Sequence, residues 1–588
     1  MSQVARANRK RLVNVVRIIH RATGDVVLFF TGTVCAVIGR WAGAAGTPRE
    51  REPMAVRSVA ITRADLPVVA APRRRPWWVW AAPFALIAAV LLIRNAFLFS
   101  TPLYEDADMG ANSILIEQAR RFTLLVGHYS REKFNHPGPA FLYVQSWGES
   151  LFWAVLRVVP TAWNGQVIAV FALTALFAAM VVATGYGITR SARTALACLA
   201  ALLVFAAVKP AVFSSDWMPY VLVMPYLAFV VATASVAAGN LRDAWIAAVA
   251  GWFLINGNVA FLFFVPVLAA GCLLALAWPR RRSLLASARS FFARQRRVWI
   301  PVVVISVAFA FPIALNTVLH WPGEFGKYLT YSSHQGDNGL RPVVDYTLHF
   351  WWSGSAPAGL LVLVVSYLVA GLLTWRLAPG PVRRFCASLL AFSTLSSVAF
   401  LVYGVVAIDE LDPTGYFIGY FYWSAPAIML LIALVALTES VPSLAGLAVA
   451  ATAAVVACAF FATAPLTRTS TNHTDPGVPA TGADTDPTLP AGVARMAALA
   501  GGRPVVLDLA HSAWPDMTGV LVQAERTGVT ACVADPYWEF MVTSQFICTP
   551  AELADGDRFW LYLPGGVPHG MRVVFQLRRA VVTSFGGG

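Results

Sequence analysis

Long apolar stretches separated by short polar loops dominate the chain from residue 77 onward. A transmembrane helix needs about 20 consecutive apolar residues, and eleven stretches satisfy or approach that length. They lie at 77–99, 164–188, 193–213, 219–239, 243–256, 258–277, 299–318, 355–375, 387–407, 418–438 and 441–463. The pattern therefore predicts a polytopic α-helical membrane protein with about 11 transmembrane helices.

The shortest of these stretches adjoin one another, between residues 243 and 277. The region is too long for one span and short for two. Asn256, Gly257 and Asn258 in its middle form a turn signal. We therefore expect a hairpin of two short helices.

The first long polar loop, residues 100–163, contains two further stretches with helical character. Ala111–Arg121 is amphipathic, and Ala140–Val159 is apolar and aromatic with polar residues on one side. Counting Ala140–Val159 as a span would break the alternation of loop charge described below. Both stretches are expected to lie along the membrane surface or to re-enter it partly.

Changes in composition divide the chain into four regions. Residues 464–490 are rich in Thr, Asp, Pro and Gly and predict a linker. After the linker, a small α/β domain is predicted, with strands at 505–507, 531–533, 559–563 and 573–577 and a helix at 517–527. The expected regions are a basic cytoplasmic segment 1–76, a transmembrane domain 77–463, the linker 464–490 and the α/β domain 491–588. Translation from Met54 is an alternative that would remove most of the basic segment.

The overall composition supports a membrane protein. The chain of 588 residues is 58% hydrophobic and 13% charged, whereas soluble proteins are about a quarter charged. The net charge of +14 is concentrated before residue 76 and between Arg280 and Arg297, beside apolar spans. No soluble region has a basic patch with interleaved aromatic residues, so the sequence argues against nucleic-acid binding.

Loop charge predicts the orientation. If the N-terminus is cytoplasmic, the inner loops are basic and the outer loops acidic, as the positive-inside rule expects. The inner loops carry Arg190, Arg193, Arg242, Arg280–Arg297, Arg376, Arg383 and Arg384. The outer loops carry Glu105, Asp106, Asp108, Asp216, Glu324, Asp337, Asp409, Glu410 and Asp412. An odd number of spans places the C-terminus outside the plasma membrane, where Cys532 and Cys548 could form a disulfide.

Three carboxylates follow the first span directly: Glu105, Asp106 and Asp108. Carboxylates at an outer membrane face can act as a general base toward a hydroxyl. Asp106 and Asp108 could also ligate a divalent cation such as Mg²⁺, Mn²⁺ or Ca²⁺. The alternative is that these acids only stabilise the start of a helix.

Basic and polar side chains follow in the same loop. They are His128, Tyr129, Arg131, Lys133 and His136. Arg131 could bind a phosphate through two hydrogen bonds, or it could pair with Glu132 or a lipid headgroup. His136 precedes the rigid turn Pro137-Gly138-Pro139, where a hydrogen bond within the turn is the alternative. For Lys133 the alternative is a solvated charge.

Later outer loops contain weaker candidates for binding a substrate. They are Glu324, Arg341, Asp409 and Tyr420. The segment around Glu324 and Arg341 could close over a site. Acids beside aromatic residues suit sugar rings, but Tyr and Trp also form ordinary interfacial belts.

No nucleotide-binding motif is present in the sequence. It contains no P-loop, no G-x-G-x-x-G after a strand, no G-x-S-x-G and no H-E-x-x-H. ATP-driven transport and a nucleotide-sugar transferase therefore lose support. A lipid-phosphate donor could supply an activated substrate at the outer face.

The chain from Trp77 resembles the GT-C superfamily of membrane glycosyltransferases. The resemblance rests on Tyr104-Glu105-Asp106-Ala107-Asp108 after the first span, the long first outer loop, and the many-span scaffold with a C-terminal module. It is strongest to actinobacterial-type enzymes that build cell-envelope glycans, including arabinofuranosyltransferases and mannosyltransferases. The C-terminal module departs from the jelly-roll domain that some arabinosyltransferases carry.

The resemblance implies transfer of a sugar, with inversion, from a polyprenyl-phosphate donor to a glycan or glycolipid acceptor. It implies that Asp106 is the base, that Asp108 is its partner or a metal ligand, and that Arg131 holds the donor phosphate. Two other functions remain as alternatives: a lipid-linked glycan flippase and a non-catalytic envelope-assembly protein. Transporters usually carry ionisable residues at mid-membrane, and the apolar stretches here are nearly charge-free.

Overall fold

The computed structural model describes residues 75–278, 295–332, 338–408, 411, 413–441, 443–463 and 485–585. These residues belong to one unit, which includes both the apolar helices and the C-terminal domain. The predicted basic segment up to residue 74, the basic loop 279–294, Asp409 and most of the predicted linker lie outside the described residues.

Each of the eleven predicted apolar stretches contains a helix. In chain order these helices are Trp78–Arg94, Ala162–Thr189, Ala192–Val208, Val223–Ala237, Ala244–Gly257, Phe261–Ala277, Arg296–Leu319, Ala356–Arg376, Gly380–Ala407, Ser424–Ser440 and Ser443–Thr463. The predicted helical hairpin is confirmed, because its two helices are separated around Asn258. Shorter helical segments join them: Ala96–Phe99, Ala211–Ser214, Met218–Val221, Leu241–Asp243, Gly323–Ser332, Leu340–His349 and Pro413–Trp423.

Six of the described helical stretches are long and apolar enough to cross a membrane. They are Ala162–Thr189, Met218–Ala237, Arg296–Leu319, Ala356–Arg376, Gly380–Ala407 and Gly415–Ser440. By the length and composition of its helices, the chain is therefore a polytopic membrane protein. The total of eleven spans stays a prediction.

The helix Ala162–Thr189 lies at the centre of the helical core. Its apolar window is 89% buried, and it packs against Trp78–Arg94, Ala192–Val208 and Val223–Ala237. A helix that is apolar on all faces has to be surrounded, either by protein or by lipid. Arg296–Leu319 is equally apolar, but none of its window is buried by protein, which is the surface expected of a lipid-facing helix.

The two predicted loop helices are confirmed. One spans Ala107–Arg120; the other begins as Ala140–Gly148 and continues as a π-helix over Glu149–Val155. The π-helix begins at Glu149, a residue expected on a polar side. Glu149 is instead buried, and its carboxylate accepts hydrogen bonds from Arg120 at 3.0 Å and Gln166 at 2.8 Å.

The C-terminal domain (Thr485–Phe585) is a five-stranded mixed sheet with helices. Its strands are β1 (Val505–Leu509), β2 (Ala531–Val533), β3 (Asp557–Tyr562), β4 (Met571–Gln576) and β5 (Val581–Phe585). Their order is β2-β1-β3-β5-β4, with parallel pairing around β1 and antiparallel pairing around β5. Its helices are Leu489–Ala500, His511–Ala513, Trp514–Thr527, Pro536–Trp538, Glu539–Val542, Ser544–Phe546 and Pro550–Asp555.

The α/β character predicted for this region agrees with the structure in most elements. The four predicted strands correspond to β1 to β4. The predicted helix Met517–Thr527 lies within the helix Trp514–Thr527, which crosses from β1 to β2. The sequence pattern misses β5, which is inserted between β3 and β4. The described part of this region begins at Thr485, within the predicted linker. A disulfide joins Cys532 in β2 to Cys548, the pairing that the predicted outer location of these cysteines suggested.

Candidate functional site

The acidic turn (Glu105 to Asp108) is fixed by elements distant in sequence. Asn164, at the start of a central helix, donates hydrogen bonds to the carbonyls of Leu98 at 2.7 Å and Thr101 at 2.9 Å. On the other side, the backbone N–H of Asp486 donates to the carbonyl of Tyr104 at 2.8 Å. The turn is therefore held between the membrane helices and the first residues of the C-terminal domain.

Two of the three carboxylates face the C-terminal domain. Glu105 and Asp106 are fully buried. Arg526 binds Glu105 through two contacts, at 2.6 and 3.0 Å, and Arg579 forms an ion pair with Asp106. Buried charges need such partners because desolvation is costly. Asp106, the predicted base, thus has an arginine against its carboxylate and no exposed surface.

Asp108 meets different surroundings. Its side chain is 13% exposed. One carboxylate oxygen accepts a hydrogen bond from the Tyr129 hydroxyl, and the other accepts one from Trp217 Nε1 at 3.0 Å. The Arg131 guanidinium lies 3.6 Å from the first oxygen. This carboxylate is oriented by three groups and still reaches solvent.

The backbone conformation of Ala107 explains why Asp106 and Asp108 lie in different surroundings. Ala107 has a φ of 48°, a left-handed conformation that non-glycine residues adopt rarely and at a cost. The helix Ala107–Arg120 begins there, so Asp106 lies before the helix and Asp108 lies in its first turn. The Thr518 hydroxyl of the C-terminal domain donates to the Ala107 carbonyl at 3.0 Å and helps to hold this conformation.

The residues Gly127 to His136 form a short hairpin, here called the loop hairpin. Backbone hydrogen bonds join Gly127 N–H to the His136 carbonyl and His136 N–H to the His128 carbonyl, both at 2.8 Å. A Cβ on Gly127 would lie 2.9 Å from the carbonyl oxygen of Asn256. The loop hairpin therefore packs on the turn between the two hairpin helices, and Tyr129 and Arg131 project toward Asp108.

The two histidines of the loop hairpin, His128 (buried) and His136 (half-buried), are neutral near pH 7. Burial, reinforced by nearby His136, lowers the pKa of His128 to about 3. Burial also lowers the pKa of His136 to about 4. His136 Nδ1 accepts a hydrogen bond from the Val259 N–H at 3.3 Å. The hydrogen bond of His136 is thus a structural contact. Its partner, Val259, lies outside the turn Pro137-Gly138-Pro139.

The basic residues of the loop hairpin contact aromatic side chains of the C-terminal domain. The Arg131 guanidinium lies 5.3 Å from the centre of the Trp514 ring, and Lys133 Nζ lies 4.5 Å from that of Tyr537. These are cation–π distances. The C-terminal domain therefore packs on the loop hairpin as well as on the acidic turn.

The weaker candidates have different positions. Glu324 accepts a hydrogen bond from the Asn135 N–H at 2.7 Å, so the helix Gly323–Ser332 supports the loop hairpin. Arg341 is exposed on the helix Leu340–His349, and no described contact joins it to Asp108. Tyr420 belongs to an aromatic cluster in which its ring lies 6.3 Å from Trp217.

Several residues of the site carried little or no signal in the sequence. Trp217 follows the outer-loop residue Asp216 and is, in the sequence, one aromatic residue among many at the membrane interface. Arg526 and Arg579 lie in the C-terminal domain, more than 400 residues from the carboxylates that they bind. Only the three-dimensional packing brings them together.

The predicted metal pair, Asp106 and Asp108, is not part of a larger cluster of ligands in the described residues. Among the residues that the structure describes, no group of three or more His, Cys, Asp or Glu side chains could hold a metal ion. Asp106 and Asp108, the predicted ligands, are engaged by an arginine and by two hydrogen-bond donors. A role for a divalent cation therefore stays a prediction without a described ligand set.

Comparisons with known proteins agree with this architecture. The crystal structure of ArnT from Cupriavidus metallidurans bound to undecaprenyl phosphate is 12% identical, covers 86% of this chain and 98% of its own, and has a TM-score of 0.50. The Archaeoglobus fulgidus oligosaccharyltransferase in complex with zinc and sulfate is also 12% identical. It covers 82% of this chain and 67% of its own with a TM-score of 0.39, which is too low to support an argument.

The likeness to ArnT shows the fold: the chain has a polytopic helical membrane fold like that of ArnT. At this level of identity the likeness extends to the fold alone. No protein-family model matches the chain, and the search of curated proteins gives no match.

Proposed function

We propose that the protein is a membrane glycosyltransferase that takes a sugar from a polyprenyl-phosphate donor. The observation that carries the proposal is the state of Asp108. In the acidic turn of a GT-C fold, Asp108 is oriented by Tyr129, Trp217 and Arg131 and keeps access to solvent. A general base needs a fixed direction and a path to its substrate.

The proposed reaction is an inverting displacement. Asp108 removes the proton of an acceptor hydroxyl, and the acceptor oxygen forms a bond to the anomeric carbon of the donor sugar. The bond between that carbon and the phosphate oxygen breaks, and the polyprenyl phosphate leaves with the electron pair. Arg131, beside Asp108, is proposed to stabilise the developing charge on the phosphate. This assigns to Asp108 the role that the resemblance gave to Asp106.

Glu105 and Asp106 are proposed to act through structure. Their ion pairs with Arg526 and Arg579 join the C-terminal domain to the acidic turn. Breaking such a buried pair usually costs several kcal/mol, about 3–5. The C-terminal domain would then keep Asp108 in place rather than bind a polymer.

The proposed sugar, acceptor and membrane orientation follow from the sequence resemblance and the loop charges. The donor sugar would be a pentose or hexose, such as arabinofuranose or mannose, and the acceptor a cell-envelope glycan or glycolipid of an actinobacterial type. The acidic turn and the C-terminal domain would face the outside of the plasma membrane, with the N-terminus in the cytoplasm. The disulfide between Cys532 and Cys548 supports an oxidising compartment.

The test is transfer by purified protein in detergent or nanodiscs. Undecaprenyl-phosphate-linked arabinofuranose and mannose are supplied with an envelope glycolipid extract as acceptor, and released undecaprenyl phosphate is measured by mass spectrometry. Acceptor-dependent release above that of heat-inactivated protein is expected for one donor. Release from neither donor would contradict the proposal in this form.

A further inference from the structure

Lys209 stands apart from the basic residues around the acidic turn. Arg131, Arg526 and Arg579 each contact a carboxylate. Lys209 is half-buried at the end of the helix Ala192–Val208, and no described carboxylate lies within ion-pair distance of it. A partly buried ammonium group without a counter-ion pays a desolvation cost. Such a residue suggests a place for an anion that binds from outside the chain.

The surroundings of Lys209 are aromatic. Its Nζ lies 4.4 Å from the centre of the Trp423 ring, and Trp423 stacks on Tyr420 at 4.2 Å. Tyr420 in turn contacts Trp217, whose Nε1 donates to Asp108. Lys209 and Asp108 are thus at two ends of one aromatic cluster. A ligand lying along the cluster could place a charged group at one end and a reacting group at the other.

An open cleft lies beside His349, whose ring is close enough to Lys209 to be affected by its charge. Its volume is about 380 Å³, and its lining includes Asp345, His349, Trp352 and Tyr416. The His349 ring stacks on Tyr416 at 3.6 Å. Burial, together with the charge of Lys209, lowers the pKa of His349 to about 4. His349 is therefore neutral near pH 7, and Lys209 is the cation on this side of the cluster.

The position of Lys209 also matches a ligand that arrives from the membrane. The helix that ends beside it is apolar, and the neighbouring Val208 is 67% exposed. An exposed apolar side chain at the end of such a helix is expected to contact lipid tails. A cation at this boundary can meet the headgroup of a lipid whose tail stays in the bilayer.

We propose that Lys209 binds the phosphate of the polyprenyl-phosphate ligand, at the membrane end of the aromatic cluster between Trp423 and Trp217. This inference rests on the proposed function for its ligand and adds a residue that the sequence pattern did not single out. Arg131 lies on the Asp108 side of the cluster. Lys209 would hold the phosphate from the membrane side, before and after transfer.

The test measures binding without turnover. Purified wild-type protein, Lys209→Gln, Lys209→Arg and the exposed-site control Arg572→Gln are titrated with undecaprenyl phosphate, and bound lipid is counted by native mass spectrometry. One charge-assisted hydrogen bond corresponds to roughly a tenfold to hundredfold change in affinity. We expect Lys209→Gln to lose affinity by that factor, and Lys209→Arg and Arg572→Gln to bind like the wild type.

Further arms of the titration identify the source of the phosphate. Inorganic phosphate is expected to bind weakly but with the same dependence on Lys209, and phosphatidylglycerol is expected to bind without it. Equal binding of undecaprenyl phosphate by wild type and Lys209→Gln would overturn the inference. Equal losses for both lipids would also overturn it, because Lys209 would then be an ordinary headgroup contact.

The result of the lipid-binding titration does not depend on whether the protein transfers a sugar. Failure of the proposed function would appear as absent transfer by a wild-type protein that still binds undecaprenyl phosphate through Lys209. Failure of this inference would appear as transfer and lipid binding that both survive Lys209→Gln. Melting temperatures of the lipid-free variants check that the substitution leaves the fold intact.

Discussion

Ala107, a non-glycine residue with a φ of 48°, separates two aspartates with different environments. Asp106 is buried against Arg579, whereas Asp108 reaches solvent between Tyr129 and Trp217. The sequence shows three acids in four positions, and it indicates a functional turn. It does not show which acid is accessible, because the partners that decide this are hundreds of residues away.

At the residue scale, a substitution of Tyr129 tests whether its hydroxyl orients the Asp108 carboxylate. Burial and the charge of Asp108 raise the pKa of Tyr129 well above its ordinary value, so its hydroxyl stays protonated and donates. A donor favours the ionised carboxylate. Tyr129→Phe should therefore move the acid limb of the pH–rate profile to higher pH, by about one unit.

The matched control for this prediction is Tyr143→Phe, whose hydroxyl donates to the Leu124 carbonyl away from Asp108. It should leave the acid limb in place. A lower rate with an unmoved acid limb in Tyr129→Phe would mean that the hydroxyl only supports the fold.

The raised pKa of Asp516 predicts that the stability of the protein depends on pH. Burial raises its pKa to about 6, although Arg579 opposes the shift. The folded state therefore holds this proton more tightly than the unfolded state, and stability should fall as pH rises from about 4 to 6 and then level off. Asp516→Asn should flatten this slope in melting curves, whereas Asp555→Asn, at an exposed position, should not. An unchanged slope in Asp516→Asn would contradict the assignment.

The helices were the most predictable elements. Apolar length located all eleven apolar helices, and the Asn256-Gly257-Asn258 signal located the helical hairpin. Strand β5 was missed, because its short sequence, Val581 to Phe585, lacks a clear boundary from the residues before it. The π-helix after Gly148 is also not predicted; it begins at Glu149, whose partners Arg120 and Gln166 the local sequence pattern does not reveal.

Gly519 tests the contact between two elements, the helix Trp514–Thr527 and the acidic turn. A Cβ there would lie 2.6 Å from Leu489 Cδ1 and 3.1 Å from Asp106 Cβ. Gly519→Ala should therefore destabilise the protein by about 1–3 kcal/mol and lower transfer. Gly371→Ala is the control, because no atom lies within 4 Å of that added Cβ. Equal melting temperatures for both variants would show that the contact is looser than described.

At the scale of the whole molecule, a membrane scaffold and a C-terminal domain share the acidic turn. The sequence predicts both parts, and it shows acidic and basic side chains together in the first outer loop. It treated the C-terminal domain as a separate module after a linker, since composition reports local structure and not docking. The ion pairs of Arg526 and Arg579 make this domain part of the candidate site instead.

The most direct measurement compares two variants in the transfer assay: Asp108→Asn, and Asp106→Asn combined with Arg579→Gln. General-base catalysis contributes roughly 10²–10⁴-fold, so Asp108→Asn should lose that much activity at a normal melting temperature. The double variant removes both charges of a buried pair, which is often near neutral for stability, and should keep most of its activity. An active Asp108→Asn, or a folded but inactive double variant, would contradict the assignment of Asp108 as the base.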